Sequence, residues 1–372
     1  MLTLSTTPSY NMVGFREMIG KFFTSGFLTV LFALLGSGGL ALPQKEKPIQ
    51  KEKAGVRLKT NLVLIPVWVT EKKTGLPIRG LEKEDFVLFE NGVPQPITFF
   101  GQEDRPLSLL LLVEARFVEE IVQATRVLLG RLSLEDEVAL MIFHGSPCLV
   151  QAFTTEKAVV IKKLRDLVSE LWNQESGVPE RCWGVYKRID DRHSLLWTSI
   201  GEGTDYLLRA SEQGRRRVMV VFTYNLGEGH MRNAERRALK KKVLERLYQS
   251  DIVVSGITLT PFCLPFTWAA IWFHPLRMDV LARVTGGRMV TVTPTKALHI
   301  RKLTQLVDQL RVPYICGYEP ANTAHHGQLR QIEIRLSPLA KKKYKNTELR
   351  YRRTYIIDKG RSNGESPSDG SR

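Results

Sequence analysis

His144, Ser146 and Cys148 put a base and two nucleophile side chains within one short stretch. Acyl transfer needs a third group to orient the histidine, and no spacing in the chain supplies such a triad. Asp190 and Asp191 offer paired carboxylates, but Arg188 and Arg192 flank them in an irregular segment, which reads as a surface feature. Gly201-Glu202-Gly203 lies inside a helical pattern instead of following a strand, so it does not form a phosphate cradle. Glu228-Gly229-His230 lacks the second histidine of a helix-borne zinc site. Cys148, Cys182, Cys263 and Cys316 show no C-x-x-C spacing, which argues against a zinc knuckle. One disulfide is open to them in an oxidising compartment, and Cys182 and Cys263 both fall in irregular, Trp-rich segments. Buried free thiols are the favoured reading. No grouping supports catalysis or a cofactor, so the chain reads as non-enzymatic.

Two non-catalytic groupings stand out. The stretch LTPFCLPFTWAAIWFHP carries Phe262, Phe266, Trp268, Trp272 and Phe273. Exposed, it would form an apolar interaction patch. Alternatively it folds back onto Trp172, Trp183 and Tyr186 of another irregular segment. Basic residues gather at Arg215 to Arg217, along Arg232 to Lys242, and at Lys341 to Lys343, in a chain of net charge +16. No helix-turn-helix or base-stacking motif accompanies them, which argues against nucleic acid. A solvated face that attracts anionic envelope polymers is the better reading.

The elements that position these residues follow from hydrophobic periodicity. Leu62 to Val69, Phe86 to Phe89 and Pro96 to Phe100 read as a small β unit, with Asn91-Gly92 as its hairpin turn. Pro66 predicts that the first of these strands is an edge or carries a bulge. From residue 105 apolar strands alternate with amphipathic helices: Leu107 to Val113, Val138 to Phe143, Arg217 to Thr223, Ile252 to Leu259 and Met289 to Val292. Runs such as LSLLLLV are apolar throughout, as strands buried on both faces require. Cys148 to Phe153 is a further strand of antiparallel character. The alternation predicts an α/β fold with a doubly wound, mostly parallel sheet and a small flanking β unit. β character returns at Tyr314 to Tyr318 and Gln331 to Leu336.

The first forty residues resemble a targeting segment. Arg16 and Lys21 precede the apolar run Phe27 to Leu35, and Gly39-Leu40-Ala41 offers a small-x-small cleavage site. The run is short for a permanent span, which needs about 20 residues. The expected organisation is a signal peptide or N-terminal anchor (1–41), a linker (42–55), a small β unit (56–104) and an α/β domain (105–312). A C-terminal β extension (313–358), expected to pack with the small β unit, and a polar tail (359–372) complete it.

Six stretches in order resemble the exported bacterial family of von Willebrand factor A-related domain proteins. They are VLIPVWVTEKKTGLPIRGLEKEDFVLFENGVPQPITFF, PLSLLLLVEARFVEE, LEDEVALMIF, RRRVMVVFTYN, LARVTGGRMV and LRVPYICGYEP with GQLRQIEIRL. The resemblance spans roughly residues 56 to 356 and implies a metal-ion-dependent adhesion site at the carboxyl end of the sheet. Such a site needs hard oxygen ligands from an Asp-x-Ser-x-Ser loop, a Thr and a later Asp. Here the loop is Glu114-Ala115-Arg116-Phe117-Val118, the Thr position corresponds to Ser194 and the later Asp to Tyr224. Both loop hydroxyls are lost, and Arg116 would place positive charge beside the site. The resemblance thus implies a degenerate site without metal. Either the loop has decayed, or Arg116 replaces the cation and receives a partner carboxylate directly.

These readings converge on an exported interaction protein, periplasmic, in the cell envelope or secreted. Its expected partner is a protein or an anionic envelope polymer, with membrane contact only through an uncleaved N-terminal segment. The alternatives are a structural envelope scaffold with no ligand site, and an exported hydrolase.

Overall fold

The computed structural model describes residues 62–115, 118–143, 146–173, 195–223, 231–259, 278–292, 306, 310–320 and 327–356. The centre of the fold is a six-stranded sheet. Its strands are β5 (Leu107–Glu114), β6 (Glu137–Phe143), β7 (Cys148–Thr154), β8 (Arg216–Thr223), β9 (Val253–Leu259) and β10 (Met289–Val292). Spatial order is β10-β9-β8-β5-β6-β7. All neighbours are parallel except β6 and β7, which run antiparallel with irregular register. Counted within the domain, this is the doubly wound order 3-2-1-4-5-6.

The two faces of β5 show why the strand is apolar throughout. Leu107, Leu109, Leu111 and Val113 pack with α1 (Val118–Leu129), α2 (Lys157–Asn173) and the helical residues Leu306 and Leu310. Leu110 and Leu112 point the other way, onto α3 (Leu196–Ala210), α4 (Asn233–Gln249) and α5 (Met278–Thr285). Each fully buried Leu contributes roughly 1.5–3 kcal/mol of transfer free energy, so this strand alone is a large share of the domain's driving force.

The remaining strands form two four-stranded antiparallel sheets. One has the order β13-β1-β11-β4, built from β13 (Thr347–Tyr351), β1 (Val63–Glu71), β11 (Tyr314–Tyr318) and β4 (Phe99–Gln102). The other has the order β14-β12-β2-β3, from β14 (Thr354–Ile356), β12 (Leu329–Leu336), β2 (Phe86–Glu90) and β3 (Val93–Gln95). A short helix, α6 (Pro338–Lys343), joins β12 to β13. Ile65, Val67, Leu88, Ile97, Cys316 and Ile334 fill the core between the sheets. Residues before and after the α/β domain therefore share one sandwich.

Asn91 (φ 50°) and Gly92 (φ 81°) turn the β2–β3 hairpin in the left-handed region that its sequence suits. Pro66 differs from expectation, because β1 is a central strand. It is tolerated because β13 pairs only from Val67 onward, leaving Pro66 opposite β11 alone.

The sandwich is fastened to the α/β domain through arginines and one glycine turn. The Arg352 guanidinium donates to the carbonyls of Leu247 (2.6 Å), Tyr248 (2.9 Å) and Ser250 at the end of α4. A cation at a helix carboxyl end also opposes the helix dipole favourably. Burial lowers its pKa to about 10. Gly286 (φ 84°) ends α5 against the backbone of Tyr351 and Arg352, and at Gly287 any Cβ would sit 2.0 Å from the Val254 carbonyl. The Thr-Gly-Gly step is therefore a steric necessity of this junction.

Candidate functional site

Parallel open sheets present ligands at the carboxyl ends of their strands, and here β5 and β8 end side by side. Their register pairs Val113 with Phe222. The next residues, Glu114 and Thr223, are both fully buried, and the Thr223 hydroxyl donates to Glu114 Oε2 at 2.8 Å. A buried carboxylate requires such a donor, since an uncompensated one would be very costly. Thr223 was not singled out from the sequence. Aligning the two apolar runs as parallel neighbours would have placed it opposite the carboxylate.

Of the residues matched to the adhesion site, the structure places Glu114 alone. Arg116, Ser194 and Tyr224 lie outside the described residues, as do Phe262, Phe266, Trp268, Trp272 and Phe273 of the aromatic stretch. Beyond Glu114 the loop offers Ala115, Arg116, Phe117 and Val118, none with a side-chain oxygen. Divalent cations such as Mg²⁺ need several hard oxygen donors. That loop itself supplies one side-chain oxygen ligand, Glu114. Among the described residues no three His, Cys, Asp or Glu side chains come together as a metal site.

One thiol departs from the expectation of free cysteines. Cys148, at the start of β7 and beside the end of β6, is disulfide-bonded. Its partner lies outside the described residues, as do Cys182 and Cys263. Cys316 is a free, buried thiol, and burial pushes its pKa up to about 12. A bonded Cys148 cannot serve as a nucleophile beside Ser146, and His144 lies outside the described residues. The Gly201-Glu202-Gly203 segment is inside α3, where a Cβ at Gly203 would meet Met219 at 2.9 Å, so the glycine serves packing.

The basic clusters separate into two kinds. Arg216 is buried and donates to the carbonyls of Leu310 (3.0 Å), Arg311 and Glu103 (3.3 Å). Burial lowers its pKa, and Glu103 opposes that shift. Arg215 pairs with Glu212 at 2.8 Å and Arg217 with Asp251 at 2.8 Å. This first cluster is part of the fold. By contrast Arg232, Arg237, Lys241, Lys242 and Arg246 on and before α4 are exposed, as are Lys341, Lys342 and Lys343 on α6. Only Val243 and Leu247 of α4 are buried, so most of that helix faces solvent.

No protein-family model and no curated protein sequence matches the chain. Among solved structures it is similar to the conserved hypothetical protein BatB from Bacteroides thetaiotaomicron, at 12% identity and TM-score 0.35, over 55% of this chain and 98% of that one. An aerotolerance-related membrane protein from Bacteroides fragilis is similar at 12% identity and TM-score 0.36, over 55% and 100%. A von Willebrand factor type A protein from Catenulispora acidiphila is similar at 7% identity and TM-score 0.36, over 82% and 76%. The α/β domain itself has the doubly wound, mostly parallel sheet that the sequence predicts, with β7 as an antiparallel edge strand.

Proposed function

We propose that this chain is a non-enzymatic interaction protein acting outside the cytoplasmic membrane, and that it engages its partner at the carboxyl end of the six-stranded sheet without a metal ion. The observation that carries this reading is the Glu114–Thr223 hydrogen bond. The one loop carboxylate is buried against a strand hydroxyl, in a loop whose other side chains supply no oxygen. With one side-chain oxygen ligand in that loop, Arg116 is the group that would receive a partner carboxylate, through bidentate guanidinium pairing.

Export is supported by the disulfide at Cys148, since such bonds persist in oxidising compartments. The apolar run from Phe27 to Leu35, with its basic flank, supports it as well. Among the described residues no helix is long and apolar enough to cross a membrane. The exposed basic side of α4 favours an anionic partner, through screened attraction that weakens with salt.

The test is affinity capture from the cell envelope with the wild-type chain and with Arg116→Ala, each with and without EDTA. The expected result is a partner retained equally in EDTA and lost from Arg116→Ala. A partner released by EDTA would overturn the metal-free reading, and one indifferent to Arg116→Ala would overturn the role of that residue.

A further inference from the structure

At the opposite end of the molecule, near the amino ends of the parallel strands, the first sheet of the sandwich borders a cavity of about 290 Å³. Trp68 and Thr70 of β1, Arg79, Gln102 and Arg311 line it. Trp68 and Thr70 are two residues apart on one strand and so share a face, opposite the core residues Val67 and Val69. Thr70 is 1% exposed and Trp68 4% exposed. Among the described residues neither the Thr70 hydroxyl nor the Trp68 indole N–H has a hydrogen-bond partner. Buried polar groups are satisfied in the great majority of cases, so two orphans on residues that line one cavity need a cause.

The wall is also built, not incidental. The Ile78 amide donates to the Val69 carbonyl at 2.8 Å, and Pro77 bridges to Thr70, which holds the Pro77–Arg79 segment against β1. The Tyr314 hydroxyl donates to the Ile78 carbonyl at 3.1 Å and accepts from the Leu81 amide at 3.1 Å. Arg79 is thereby carried to the rim by an anchored segment, with its own side chain exposed. Across the cavity Arg311 is fixed by its ion pair with buried Asp136.

The polar chemistry of the lining is one-sided. An indole N–H and two guanidiniums can only donate, a hydroxyl and an amide can do either, and no carboxylate lines the cavity among the described residues. Such a lining selects a ligand rich in acceptors and negatively charged. The volume lies just below the usual range for ligand pockets, roughly 300–1,000 Å³, which suits a small ligand. We propose that this cavity binds a small monocarboxylate, with Arg79 pairing its two oxygens and Thr70 and Trp68 supplying donors from within. This site is independent of the partner face proposed above, so either can fail without the other.

Isothermal titration of the full chain with acetate, N-acetylglycine, N-acetylglycinamide and inorganic phosphate tests it. At least one carboxylate should bind saturably, with the uncharged amide at least about tenfold weaker, a difference typical of losing one charge-assisted hydrogen bond. Preference for acetate would name a free small acid as the ligand, and preference for N-acetylglycine a chain terminus. Arg79→Ala, at an exposed position, should weaken binding about tenfold, and the isosteric Thr70→Val a few-fold. The proposal is overturned if no carboxylate saturates, if the amide binds equally, if phosphate alone binds, or if both variants keep wild-type affinity.

Discussion

At the amino ends of the six-stranded sheet, Asp136 accepts from the amides of Leu107 (2.8 Å) and Ser133 (2.6 Å) and from Arg311. Lys157 adds bonds to the carbonyls of Ser133 (2.8 Å), Leu134 (3.2 Å) and Asp136 (2.8 Å). Burial lowers the Lys157 pKa, and Asp136 partly restores it. At the carboxyl ends the described polar pair is Glu114 with Thr223, two strand residues meeting across one parallel register. The first end ties together backbone turns, a helix and the segment leading into the sandwich. The second includes a bond between the ends of two neighbouring strands. Polar groups at the amino end therefore join distant segments of the chain, whereas the Glu114–Thr223 bond joins two neighbouring strands and offsets the cost of burying a carboxylate.

The comparison predicts unequal losses. Asp136→Ala should be the most damaging, at about 3–5 kcal/mol, because it strands Arg311 and two amides around a buried vacancy. Urea unfolding of the full chain measures it, and a loss no greater than that of a surface substitution would break the contrast. Arg352→Ala comes next, at roughly 1.5–3 kcal/mol, since three carbonyls at the end of α4 lose a charged donor. Hydrogen exchange should locate the change at α4 and at the sandwich junction; uniform protection across the chain would contradict the fastening role. Thr223→Val follows, at roughly 1.5–3 kcal/mol for one buried bond to a carboxylate, with unchanged spectroscopic signature of the sandwich. A loss matching Asp136→Ala would show that both ends carry the architecture equally.

Much of this fold was legible in the residues. The run from Leu107 to Val113 reads as a doubly buried strand because both of its faces are covered, and Asn91-Gly92 reads as a hairpin because both adopt positive φ. What local pattern could not supply was pairing across long separations. Pro66 argued for an edge, yet β1 is central, because open backbone at one position is invisible without knowing where β13 begins. Glu114 was found from its place in a loop motif, whereas Thr223 required the β5–β8 register. The cluster Arg215 to Arg217 looked like surface charge, but Arg216 is buried because backbone carbonyls from distant segments converge on it. Oxidation of Cys148 likewise depends on a partner that spacing alone does not select.

The sandwich has a temporal consequence. Leu81 meets Tyr314 across 233 residues of chain, and β1 has no sheet neighbour among the described strands until β11 and β13 exist. Closing so long a loop in an unfolded chain is slow, but an α/β domain already folded between the two halves brings its own ends together first. During synthesis β1 must therefore wait, unpaired and strand-competent, until β11 and β13 have emerged.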